Sequence, residues 1–138
     1  MAAKVVAVLA VLASCRSQGP ASVSADRSAP LIDPEVRHAA GRGRVRVLVE
    51  VRTPAPTVPE GALSSPAGVA GQRAAIASAQ ATVLSRLPHG HYSVVHQYGT
   101  TPFLALEIDR DALTALEAMG DIVARVVPDR IMTPAAPR

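Results

Sequence analysis

Residues 44–52 read RVRVLVEVR, with valine at every second position. Val45, Val47, Val49 and Val51 share one side; Arg46, Leu48 and Glu50 share the other. A period of two predicts a strand with one buried face. The next stretch, TPAPTVPEGALSSPAG, is broken by prolines, glycines and serines and predicts a loop. From Val69 the spacing changes. Val69, Ile76 and Val83 recur every seven residues, and Ala79, Leu84 and Leu87 widen the stripe, which predicts a helix ended by Pro88 and Gly90.

HYSVVHQY predicts a second strand, GTTP a turn and FLALEID a third strand. In that third strand Leu104, Leu106 and Ile108 oppose Phe103, Ala105 and Glu107. Asp109 or Asp111 can cap a short helix whose apolar side is Ala112, Leu113, Leu116 and Met119, with Gly120 as its stop. IVARVV predicts a fourth strand, ended by Pro128. The order is strand, helix, strand, strand, helix, strand. Two right-handed βαβ crossovers then give an α+β, ferredoxin-like βαββαβ fold: a four-stranded antiparallel sheet with two helices on one face. The other face stays open and carries Leu48, Phe103 and Ala105 among charged neighbours, a candidate docking surface.

The domain predicted for residues 44–129 has a thin core. The chain contains no Trp, one Phe and two Tyr among its 138 residues. The net charge of +3 would fit a polyanion partner, but it is not concentrated on the domain. Residues 44–129 hold seven Arg against eight Asp and Glu, and lack the aromatics that stack on bases, which argues against nucleic acid.

Upstream, MAAKVVAVLAVLASC has one positive charge and an apolar run too short to span a bilayer but long enough for a signal-peptide h-region. Leu12, Ala13, Ser14 and Cys15 resemble a bacterial lipobox, so residues 1–14 are expected to be a lipoprotein signal and Cys15 the lipidated residue. An ordinary secretory signal with a chance cysteine is the alternative, and both predict export. Cys15, the single cysteine, can make neither an internal disulfide nor a zinc site. Residues 15–43 show no period and are expected to be a disordered tether; the basic cluster Arg37, His38, Arg42, Arg44 and Arg46, which runs from it into the first strand, would meet solvent or anionic lipid headgroups.

Catalytic patterns are weak. His89, His91 and His96 form a loose set without a carboxylate at helical spacing, so a polar turn rather than a metal site is expected. There is no Gly-x-Ser-x-Gly elbow and no glycine-rich phosphate loop. The expectation is a protein that is not an enzyme and holds no cofactor.

Four stretches in order, VRVLVEV, QRAAIASAQATVLSRL, YGTTPFLALEID and ALTALEAMGDIVARVVPD, make residues 45–129 resemble the subtilisin propeptide type of peptidase inhibitor (inhibitor family nine). That resemblance implies a subtilisin-like serine protease as partner. It implies an open sheet face, here Arg46, Leu48, Glu50, Phe103 and Ala105, docked on the enzyme, and a C-terminal tail in the substrate cleft. The long loop after the first strand departs from the family pattern, and no protease domain follows. The chain is thus expected to be a stand-alone inhibitor, monomeric when free. The alternatives are a separately encoded folding helper, a lipoprotein binding or assembly module, and a fragment of a longer protease precursor.

A cleft-bound tail pairs as an added strand, and proline has no N–H to give. In residues 130–138 this selects a register in which Met132, Thr133, Pro134 and Ala135 fill the four non-primed subsites. Thr133 then supplies the needed N–H, and Pro134 falls where none is required.

Overall fold

A computed structural model describes residues 28–130. Cys15 and the tail residues Met132, Thr133, Pro134 and Ala135 lie outside the described residues. The described chain is α+β. Its strands are β1 (Leu31–Ile32), β2 (Val45–Val51), β3 (Tyr92–Gln97), β4 (Phe103–Ile108) and β5 (Val123–Pro128). Its helices are α1 (Pro34–Ala40), α2 (Pro66–Arg86) and α3 (Arg110–Glu117). The sheet order is β1-β5-β2-β4-β3. β1 pairs parallel to β5, and every other pairing is antiparallel.

This corrects the expected architecture. The sheet is five-stranded and mixed rather than four-stranded and antiparallel, and it carries three helices rather than two. Both additions come from residues 31–40, which the sequence assigned to the tether. They fold because they bury apolar side chains: Val36 is fully enclosed, and Ile32 and Ala40 nearly so. The helix start is well specified. Asp33 caps it by accepting from the Glu35 amide at 2.8 Å, and Pro34 opens the first turn.

The alternation in β2 works as predicted, with Val47, Val49 and Val51 buried on one side. Register sets Val47 opposite Leu106 and Val49 opposite both Leu104 and Val126. A register shift at Glu50/Val51 then brings Val51 opposite Val123, so Val123 and Val126 both reach the core although three residues apart. All three helices cover this face, through Val36 and Ala40, Ala79 and Val83, and Ala112, Leu113 and Leu116.

α2 begins at Pro66, three residues before the predicted stripe, because Ser65 caps it and accepts from the Gly68 amide at 3.1 Å. The loop before it is tied to the helix. Gln72 bonds both the N–H and the carbonyl of Val58 at 2.9 Å, and Arg73 grips Glu60 at 2.6 and 2.7 Å. Further along, the buried Gln80 donates to the carbonyls of Tyr98 (2.9 Å) and Phe103 (2.8 Å) and so holds the β3–β4 turn against α2.

Gly120 acts differently from the expected helix stop. α3 ends at Glu117 with Ala118 as its cap, and Gly120 does not have a positive φ. Its role is close approach: a Cβ there would lie 2.9 Å from the Ser28 carbonyl oxygen and 3.3 Å from Ala29 Cα and Pro30 Cδ.

Candidate functional site

The pairings assemble the open face of the sheet as three rows. The first runs Leu31, Arg125, Glu50, Phe103. The second runs Val127, Leu48, Ala105, His96, and the third Arg46, Glu107, Ser93. The five residues expected on this face, Arg46, Leu48, Glu50, Phe103 and Ala105, are therefore brought together. One of them is corrected in its availability. Ala105 is only 2% exposed, a methyl set between its larger cross-strand neighbours Leu48 and His96, and offers a partner little area.

The middle row gives the face an apolar stripe, and the arginines of the rows beside it are paired, while Glu107 has no side-chain partner among the described residues. Arg125 bonds Glu50 across β5 and β2 at 2.8 Å. Arg46 bonds Asp129 at 2.9 Å, just beyond the end of β5. The Asp129 amide also donates to the Arg46 carbonyl at 3.0 Å. Asp129 thus continues the ladder one residue past Pro128 and fixes where the chain leaves the sheet. Arg130 then pairs with Glu35 in the first turn of α1.

Sequence reasoning missed Leu31, which lies at the edge of the first row and is 72% exposed. A pocket of about 330 Å³ opens beside it, lined by Leu31, Glu50, Arg52, Ala124 and Arg125 among others. The usable signal was the Asp33-Pro34-Glu35 helix start, which places Asp33 in extended backbone directly after the apolar pair Leu31–Ile32.

The histidines do not converge as a set. His91 turns to the start of α3, its Nδ1 lying 2.8 Å from Asp109 Oδ2 and 3.4 Å from Asp111 Oδ2. These three place one ligand atom each within 4.8 Å, and are the group among the described residues able to approach a cation together. Asp109 is already engaged, since its Oδ1 accepts from the amides of Asp111 (3.0 Å) and Ala112 (3.2 Å). Desolvation works to raise the Asp109 pKa, but the Ala112 amide, His91 and the Asp111 amide outweigh it and hold the carboxyl below its ordinary value. The cluster reads as a helix cap locked by a histidine. His96 instead packs edge-on against Tyr98 at 4.5 Å between ring centres.

A third feature lies on the helical side. Arg37, His38, Arg42 and Arg110 line a groove of about 550 Å³ between α1 and α3, with Glu117 as the acidic residue among its walls. No helix among the described residues is long and apolar enough to cross a membrane. Comparison of the chain with protein-family models, with curated proteins and with solved structures gave no match in any of the three.

Proposed function

We propose that this chain is an exported inhibitor of subtilisin-like serine proteases, held at a membrane by a lipidated Cys15. It docks on the enzyme through its open sheet face and lays residues 132–135 in the substrate cleft. The observation that carries this is the pinned exit of the chain. Asp129 is fixed to Arg46 by a backbone and a side-chain bond, so the described chain ends one residue past the rim of the open face. A tail launched there and a face docked on the same enzyme act as two linked contacts, which raises the effective concentration of the second once the first has formed.

The four longer strands support the same reading. Their order β5-β2-β4-β3, all antiparallel, with α2 and α3 as crossovers, follows the ferredoxin-like pattern, to which β1 and α1 add one edge. The apolar stripe of Val127 and Leu48, with the Arg125–Glu50 and Arg46–Asp129 pairs beside it, has the character of a protein interface, where charged residues are depleted at the centre. Leu48 and Phe103 are the anchors, and Leu31 extends the contact.

The test is direct. The chain from Arg16 onward is assayed against several subtilisin-like proteases and against a serine protease of the chymotrypsin fold. Inhibition of the first group alone is expected. Removing residues 131–138 should weaken it by roughly two orders of magnitude or more, because loss of a linked contact removes an avidity of about 10²–10⁴. Equal inhibition by the shortened chain would exclude the tail from the mechanism; no inhibition of any subtilase by the intact chain would end the reading.

A further inference from the structure

The charges on α1 and α3 are unevenly satisfied. Glu117 is bound by Arg37 at 2.8 Å, and Glu35 by Arg130. Asp33 caps α1 and Asp109 caps α3. Asp111 lies 3.4 Å from His91. Each carboxylate on or beside α1 and α3 therefore has a guanidinium, an imidazole or an amide beside it. Arg42 and Arg110 are different. Their side chains are exposed and have no hydrogen-bond or ion-pair partner among the described residues. Both line the α1–α3 groove, with Arg37 and His38 beside them.

We propose that this α1–α3 surface docks on an anionic phospholipid bilayer. The lipid surface is favoured as occupant by charge and by position. The surface presents unpaired guanidinium groups in a broad, open groove rather than an enclosed pocket, which suits many weakly held phosphates better than one tightly held anion. Ser28, where the described fold begins, is about 13 residues beyond Cys15 and so within about 45 Å of it at full extension. A lipid on Cys15 would keep the groove within reach of the headgroups. The helical layer and the open sheet face lie on opposite sides of the sheet, so membrane contact leaves the protease-docking face turned outward. The proposal takes from the proposed function only the anchor at Cys15.

The experiment uses the chain from Arg16, which keeps every described element and lacks the anchor cysteine. It is sedimented with vesicles of phosphatidylglycerol in phosphatidylcholine, and with phosphatidylcholine alone. Binding to the anionic vesicles alone is expected. Arg42→Gln and Arg110→Gln should each weaken it about fivefold, the effect of one cation near such a surface. Arg125→Gln, on the opposite face, should leave it unchanged. Salt well above physiological should release the protein, because the screening length shrinks to a few Å.

Equal binding to neutral vesicles, no binding to either, or an equal loss in Arg125→Gln would overturn the proposal. So would displacement by millimolar inorganic phosphate, which would mark a site for a soluble anion. Fatty-acid labelling of Cys15 in the full chain is read separately. Unlabelled protein whose Arg16 form still binds anionic vesicles removes the anchor and keeps the surface. Labelled protein whose Arg16 form ignores vesicles removes the surface and keeps the anchor.

Discussion

The two sides of the sheet handle charge in opposite ways. On the open face Arg125 is matched with Glu50 across a strand and Arg46 with Asp129 at a strand end, with the apolar row between them, while Arg52 keeps a buried Nε without a partner among the described residues. On the helical side Arg37 is matched with Glu117, while Arg42 and Arg110 project with no acid against them among the described residues. Charges already paired, as Arg125–Glu50 and Arg46–Asp129 are, can be covered by a partner without stranding an ion, which is the costly event at a buried interface. Unmatched surface cations act at longer range and suit a diffuse, hydrated contact that salt weakens. One fold thus presents a dry surface and a wet one, separated by the thickness of a single sheet and its helices.

The largest expected effect removes both at once. Leu106 is fully buried at the centre of β4, opposite Val47 and Val94. Leu106→Ala should cost about 2–5 kcal/mol through lost transfer energy and a cavity. A domain this size has only about 5–15 kcal/mol in total. Urea unfolding should show a lower midpoint with unchanged slope, and protease inhibition and vesicle binding should fall together at temperatures where the variant unfolds. Loss of one activity without the other would show that the two faces do not share this core.

A smaller substitution should separate them. Gly120 has Ser28 and Ala29 backbone against it, so Gly120→Ala must push residues 28–30 outward. Overpacking of this kind costs about 1–3 kcal/mol. The strain falls on the segment leading into β1 and α1, which carries Arg37, His38 and Arg42, and only indirectly on β2 to β5. Vesicle binding should drop severalfold while inhibition of a subtilase at low temperature changes less than about twofold. A stronger loss of inhibition than of vesicle binding would place the docking face on the β1 side of the molecule.

Residues 44–128 were readable because periodicity there is long. The valines at every second position of β2, and the apolar triplet Leu104, Leu106 and Ile108 set against Phe103, Ala105 and Glu107 in β4, leave one plausible burial. The segment 31–40 was not, because a two-residue strand and a seven-residue helix are too short to show a period, and they sit among Ala, Ser, Pro and Gly. Its one strong signal was local, the Asp33-Pro34-Glu35 cap. At the site, β2 and β4 gave the face correctly through alternation. The alternation could not show that Leu48 and His96 flank Ala105, because cross-strand register depends on the β3 irregularity between Val94 and His96. Nor could it reveal that Gln80, one polar residue in an apolar stripe, is buried to hold two carbonyls of the β3–β4 turn.

The smallest expected effect is a pH response at the junction of the two sides. Asp109 caps α3, which contributes Arg110 to the basic groove, and its other oxygen meets His91, which leads into β3 of the open sheet. Its carboxyl is held below the ordinary value in the fold. A depressed folded pKa means that the stabilisation is fully present above the unfolded value, about 3.9, and is lost as the pH falls through the lower folded value. Melting temperatures measured from pH 6 down to pH 3 should therefore fall more steeply in the natural chain than in Asp109→Asn, whose amide still caps the helix but cannot titrate. At pH 6 the variant should melt slightly lower, having lost the charged contact with His91. Parallel melting curves across that range would mean that the Asp109–His91 contact contributes nothing, and that the two sides of the sheet are joined by the core alone.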